Sequence, residues 1–351
     1  MLPIEKHVKF LVLFSIILAF AVITLGAYVR LSDAGLGCPD WPGCYGKLFG
    51  IPQSAIEITE AESVFSERKV DVLKAWKEMA HRYIAGILGL IIFYITYLCI
   101  RRKINSIITL AKLTSLLVIA QVILGMLTVT LKLQPTIVIM HLLGGFTIIC
   151  MLWLIYLRLL EKKFLDHYSK NIFKYNNINF LRHIAFIAIT ILIIQIILGG
   201  WTSANYAALA CPDFPTCQNS YWPEMNLKSA FSINFDGKIN YEYGVLDNPA
   251  RVGIHYIHRL WAIITTIAIF LLSILCFIYI KSKEQRIIAC CLLVFLFLQI
   301  LLGILNVKLS LPIYVAVAHN GNAVLLLMTI IAQIYYLSKI YKINEKKDGI
   351  S

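Results

Sequence analysis

Cys38-Pro39-Asp40-Trp41-Pro42-Gly43-Cys44 and, 173 residues on, Cys211-Pro212-Asp213-Phe214-Pro215-Thr216-Cys217 are two versions of one segment, identical at five of seven positions. The match extends outward from both. Leu25 and Gly26 correspond to Leu198 and Gly199 at the same offset, and His81 and Arg82 to His258 and Arg259 at 177. Gln121, Gly125 and His141 correspond to Gln299, Gly303 and His319 at 178. An offset that drifts by only five residues over half the chain marks an internal repeat.

What is repeated is a membrane unit. The chain has 351 residues, 59% of them hydrophobic and 15% charged, with a mean hydropathy of +0.77, which excludes a water-soluble domain. Apolar runs of about 20 residues, the length that crosses a bilayer core, fall at approximately 9–29, 75–100, 106–131, 137–160, 183–204, 251–280, 287–308 and 313–338. Runs this long without alternation mean helices rather than a barrel. The expected fold is therefore an all-α integral membrane protein of eight transmembrane helices, arranged as two parallel, repeat-related four-helix bundles. The N-terminal half is 1–160, the C-terminal half 183–351, and the polar stretch 161–182 reads as a cytoplasmic linker.

The net charge of +13 belongs to topology and not to nucleic acid. Basic residues gather in alternate connections: Lys6 and Lys9; Arg101, Arg102 and Lys103; Arg158 to Arg182; Lys281, Lys283 and Arg286; Lys339 to Lys347. The positive-inside rule makes these cytoplasmic, with both termini, and puts 30–74 and 205–250 outside. Ala19-Phe20-Ala21 resembles a signal-peptide cleavage site, but the apolar run continues to Val29 and has a counterpart at 183–204. A bacterial plasma membrane is the simplest address, with lipid as the surrounding partner. Within 51–77, Ile56, Val64, Val70, Val72, Leu73 and Trp76 are spaced among charges as in an amphipathic surface helix.

Of eight histidines, His7, His167 and His183 sit in or beside cytoplasmic segments and read as interfacial residues. His81, His141, His255, His258 and His319 lie in the outer third of helices that all enter from outside, so their depths match. Repeat-related imidazoles at one level suit bis-imidazole ligation of a haem iron; interhelical hydrogen bonding is the structural alternative. Zinc is disfavoured, because each half has only two repeat-matched imidazoles and structural zinc usually adds cysteine or carboxylate. Gly86, Gly89, Gly144, Gly145 and Gly321, with Ala323, would leave room for a flat macrocycle. Arg82 and Arg259 suit haem propionates, with snorkelling to head groups as the alternative. Cys38 with Cys44 and Cys211 with Cys217, in an oxidising compartment, read as disulfides; a redox-active dithiol and transient metal binding stay open.

The repeat breaks at one position that bears on chemistry. Glu78 stands one turn before His81, where the second half has His255. A carboxylate near haem iron in low dielectric handles protons or stabilises a cationic intermediate; an ion pair with Arg82 at i+4 is the structural alternative.

These features together resemble the haem A synthase family over essentially the whole chain: eight helices in two halves, cysteine-bearing outer loops, Gly35-Leu36-Gly37-Cys38-Pro39-Asp40-Trp41-Pro42, and Glu78 with His81 and Arg82. The resemblance implies two successive oxidations of one methyl substituent of haem O, through an alcohol to a formyl group. It implies that His81 and His141 bracket the substrate haem with Glu78 essential nearby, and that His258 and His319 ligate a permanent haem b. Cys38 and Cys44 correspond to the family's outer-loop pair, which some members lack. The partners implied are haem O and the enzyme that produces it, an electron carrier, terminal-oxidase assembly and a homo-oligomer. A di-haem b-type cytochrome that only passes electrons would use the same four histidines, and a transporter with repeated halves would bind no haem.

Overall fold

The computed structural model describes residues 3–66, 68–170, 177–233, 239–280 and 282–347. Among them there is no strand beyond two isolated bridges, Cys44 with Lys47 and Cys217 with Ser220. The helices are α1 (Pro3–Leu31), α2 (Ala55–Val64), α3 (Val72–Arg101), α4 (Ile108–Thr130), α5 (Pro135–Lys170), α6 (Ile178–Ala204), α7 (Leu227–Ala230), α8 (Asn248–Tyr279), α9 (Lys283–Lys308) and α10 (Ile313–Lys347). All but α2 and α7 are long and apolar enough to span a bilayer, so the chain is an eight-span integral membrane protein. Even span number places both termini on the same side.

Helix ends are set by caps more than by hydropathy. Asp71 accepts the Lys74 amide at 3.0 Å ahead of α3, Asp247 accepts Ala250 at 3.1 Å ahead of α8, and Ser282 accepts Gln285 at 3.3 Å ahead of α9. Each side-chain oxygen satisfies an amide that the first helical turn leaves without a partner. The surface helix expected within 51–77 is shorter than its apolar spacing suggested. Only Ala55–Val64 forms it, with a capping box from Ser54 and Glu57, and Val72, Leu73 and Trp76 already belong to α3. The stretch 161–182 is helical at both ends, as the tail of α5 and the start of α6; residues 171–176, in its middle, lie outside the described residues.

In the first half the spanning helices form a closed ring in which α1 touches α3, α3 touches α4, α4 touches α5, and α5 returns to α1. In the second, α6, α8, α9 and α10 close in the same order, and α1 and α5 meet α10 and α6 between the halves. The repeat extends to the backbone. The rare left-handed conformation recurs at Asp33 and Tyr206, at Tyr45 and Gln218, at Lys132 and Ser310, and at Leu133 and Leu311, although only the last pair shares a residue type.

Several contacts join a residue to its own repeat mate, the mark of a two-fold relation. Arg30 donates to the Ser203 carbonyl at 2.7 Å across a separation of 173, and the Tyr206 hydroxyl donates to Asp33 at 3.2 Å across the same separation. At the opposite end Glu161 pairs with Lys339 across a separation of 178 and accepts the Tyr335 hydroxyl at 2.6 Å. A pseudo-two-fold axis runs through both places, along the helices. One apolar core, including Val12, Ile92, Ile149, Leu152, Ile269, Leu292 and Ile330, is continuous across both halves and fills the end away from the long loops. The conserved spacing of histidines falls at the other end, beneath the loops.

Candidate functional site: paired imidazoles under the cysteine loops

His81 on α3 and His141 on α5 come from diagonally opposed helices of the first ring, and His258 on α8 and His319 on α10 from the same corners of the second. His141 is within electrostatic reach of His81, and His258 of His319. Each imidazole lies on a glycine of the spanning helix before it. A β-carbon at Gly26 would stand 2.9 Å from His81 Cε1, one at Gly125 3.3 Å from His141, one at Gly199 3.3 Å from His258, and one at Gly303 3.2 Å from His319. Glycine lets each ring lie this close, because a β-carbon there would press on the ring and make it give way, most of all at Gly26.

One turn before three of these glycines stands a glutamine that holds the ring. The Gln121 carboxamide nitrogen donates to His141 Nδ1 at 2.9 Å and to the His141 carbonyl at 2.6 Å. Gln195 does the same to His258 at 3.2 and 3.3 Å. Gln299 donates to His319 Nε2 at 3.2 Å, and its oxygen accepts Asn322 at 2.7 Å. The carboxamide oxygens of Gln121 and Gln195 are buried without a partner.

At His141 and His258 these residues suit ligation of an iron porphyrin, whereas at His319 the glutamine stands on Nε2 and Nδ1 has no partner. Ligation through Nε2 requires a proton on Nδ1 and an acceptor for it. Turning the Gln121 or Gln195 carboxamide supplies that acceptor from the orphaned oxygen, at the loss of the contact to the histidine carbonyl.

Of the glycines expected to make room beside the ligands, Gly86 faces open space and the others pack against side chains. Gly89 faces Val118, Gly144 and Gly145 accommodate Gln121, and Gly321 packs on Phe20 and Thr24 of α1. His7 and His183 are exposed, and the side chain of His167 is outside the described residues.

Glu78 and His255 occupy one structural role. Glu78 is buried and accepts the Cys38 amide at 2.9 Å while pairing with Arg82. His255, equally buried, stands with Nδ1 3.3 Å from the Cys211 amide and Nε2 3.2 Å from the Arg259 Nε. A carboxylate accepts both donors; a neutral imidazole accepts one. Both arginines clamp the loops. Arg82 donates to the carbonyls of Asp40 at 3.1 Å and Gly43 at 2.6 Å. Arg259 donates to those of Asp213 at 2.8 Å, Thr216 at 2.9 Å and Cys211 at 2.7 Å. The Glu78–Arg82 pair at i+4, set out above as the structural alternative, is therefore present, and the guanidinium groups face loop carbonyls.

Within the clamped loops Cys38 is bonded to Cys44 and Cys211 to Cys217. In the second loop Asp213 accepts the Thr216 hydroxyl and the amides of Gln218 at 2.6 Å and Asn219 at 3.0 Å. The Thr216 hydrogen bond above all, then these amides, lowers the Asp213 carboxyl to about 2. An acid depressed by folding steadies the loop above its ordinary titration range and ceases to do so as pH falls through the folded value. Amide exchange at Gln218 and Asn219, corrected for intrinsic rate, is expected to stay slow at pH 4 and to quicken towards pH 2. In Asp213→Asn it is faster already at pH 7; equal protection in the two proteins at pH 7 would contradict this.

The fold and site define an integral membrane protein with two repeat-related bundles, each presenting a pair of partly buried imidazoles beneath a cysteine-bearing loop. The chain belongs to the COX15-CtaA family, described as cytochrome oxidase assembly protein, which it matches over residues 9–331. It is 42% identical to the Heme A synthase of Shewanella oneidensis, over 92% of this chain and 94% of that protein. It is 28% identical to the Heme A synthase of Flavobacterium psychrophilum, over 95% and 99%. With that of Rickettsia conorii it shares 34% identity over 44% of this chain and 41% of the relative.

Proposed function

We propose that this protein is a haem A synthase, a membrane oxidoreductase that takes one methyl substituent of haem O through an alcohol to a formyl group in two successive two-electron oxidations. The observation that carries the reading is the pair of imidazoles in each half, on diagonal helices and seated on glycine. His81 and His141 bracket the substrate haem in the half 1–160. His258 and His319 hold haem b in the half 183–351, joined to the first through 161–182. Haem b, when bound, supplies a one-electron relay between the substrate site and an electron carrier.

Glu78 stands one turn from His81 and is the acidic group closest in sequence to a substrate ligand. With both oxygens receiving hydrogen bonds it is an acceptor, and it takes up the proton released as the methyl carbon is oxidised. Arg82 and Arg259 hold the cysteine loops over the two haem sites, closing them to water, and turn any remaining N–H towards propionates. Cys38–Cys44 and Cys211–Cys217 serve as structural disulfides in those loops. The basic connections favour cytoplasmic termini and outward loops in a bacterial plasma membrane. There the protein would receive haem O from the enzyme that makes it, feed terminal-oxidase assembly, and associate with copies of itself.

The absorption spectrum of the purified protein tests this most simply. The expected result is the sharp, low-spin bands of a haem with two imidazole ligands. A preparation with no visible chromophore, from cells that make haem, would sink the reading and favour a transporter.

A further inference from the structure

The glutamine that steadies three of the four imidazoles is missing from the fourth. Gln121, Gln195 and Gln299 each stand four residues before the glycine under their histidine. On α1 the glycine is Gly26, and four residues before it stands Val22, which occupies the repeat position of Gln195 at the offset of 173. Valine has no group to offer a ring nitrogen. The backbone of Val22 is the hydrogen-bonding group beside the His81 ring, no side chain among the described residues bonds that ring, and its Nδ1, like that of His319, is buried without a partner.

Resting on the function proposed above, the geometry points to Val22 and the three glutamines as positioning residues that sort the imidazoles by how firmly they hold iron. His141, His258 and His319 are fixed in orientation by a carboxamide. His81, which lacks one, is the ligand that disengages when substrate haem enters and product haem leaves. A resident group needs two firm ligands, and in the second half both rings carry a carboxamide contact, Gln195 on His258 Nδ1 and Gln299 on His319 Nε2. A substrate that must exchange needs one firm ligand and one that turns aside, and the first half has that combination in His141 and His81. The partner behind a ligating imidazole sets both its orientation and its donor strength, and losing such a partner typically costs about 10- to 100-fold in affinity.

The test uses the full-length protein purified from a host that makes haem O. Excess apomyoglobin draws out labile haem, the transfer is followed optically, and the haems that remain are identified by chromatography. From the wild type, the substrate or product haem is expected to leave faster than haem b. Val22→Gln is expected to slow that departure by about tenfold or more and to leave haem b unaffected. Val22→Leu, which adds comparable bulk without a carboxamide, is expected to release substrate haem at the wild-type rate. Gln195→Val, a cavity-neutral route if Val22→Gln folds poorly, is expected to speed loss of haem b by a similar factor.

A spectroscopic mark accompanies these rates. Hydrogen bonding to an axial imidazole alters its donor strength, so the low-spin electron paramagnetic resonance signal of the first-half haem shifts in Val22→Gln and stays in place in Val22→Leu. Wild-type release of substrate haem from a folded, fully loaded Val22→Gln protein, or wild-type retention of haem b in Gln195→Val, would overturn the proposal. Haem b in both halves of the wild type would overturn the division between the halves first, and is distinguished from the other outcomes by the chromatogram.

Discussion

His258→Ala is expected to lose haem b while the first-half haem stays bound, and His81→Ala is expected to keep haem b. The two histidines are repeat mates, alike in lying on a glycine of the preceding spanning helix, and differ in the residue behind the ring, Val22 at His81 and Gln195 at His258. The difference between the variants thus reports on which half holds which haem. A resident haem that loses one of its two axial ligands is left five-coordinate and held through His319 alone, so haem b content should fall to a small fraction of one per chain. His81→Ala leaves His258 with its Gln195 contact at 3.2 Å and His319 with Gln299 at 3.2 Å, and the b-type spectrum should persist. Extracted haem from each variant, separated by chromatography, is the readout. Loss of the same chromophore from both would show that the halves do not divide the work.

Glu78→Gln is expected to cut haem A formation by at least about a hundredfold, the usual scale for removing a group that moves a proton, with haem b content unchanged. The substitution is informative because it separates two roles that coincide at this residue. A glutamine oxygen still accepts the Cys38 amide, which Glu78 accepts at 2.9 Å, so the clamp on the cysteine loop survives in part. What disappears is the carboxylate and its pair with Arg82. His255→Gln changes the matching clamp in the other half, where the proposed function puts haem b and not substrate, and should leave haem A formation near the wild-type level. Equal losses in the two variants would mean that Glu78 acts as a loop clamp alone.

Much of the fold was legible because a bilayer imposes a length on apolar runs. The span expected at 287–308 is Lys283–Lys308, and that at 75–100 is Val72–Arg101. The misses are at ends where polar caps such as Asp71 and Ser282 start a helix before the apolar run begins. Helix α5 runs on to Lys170 for a related reason: hydropathy marks where the bilayer lies, and a helix does not stop there. The site was legible where the halves agree. His81 with His258 and His141 with His319 stand out by their offset, and the structure places His81 diagonally from His141 in one ring and His258 diagonally from His319 in the other. Gln195 was invisible to the same comparison because its mate is Val22, and a search for shared residues passes over a position where one half has lost its polar group. The i+4 spacing announced the Glu78–Arg82 pair. It carried no sign that loop carbonyls would take up the guanidinium, since those depend on how residues 38–44 fold back over α3.

The central claim is that this chain changes haem O chemically. Its most direct measurement is the extraction and chromatography of haems from a host that makes haem O and no haem A, with and without this protein. The account predicts haem A, with the intermediate alcohol beside it, only when the protein is present. Unaltered haem O in cells whose membranes contain the folded protein with haem b bound would contradict it, and would leave a di-haem cytochrome that passes electrons without modifying its haem.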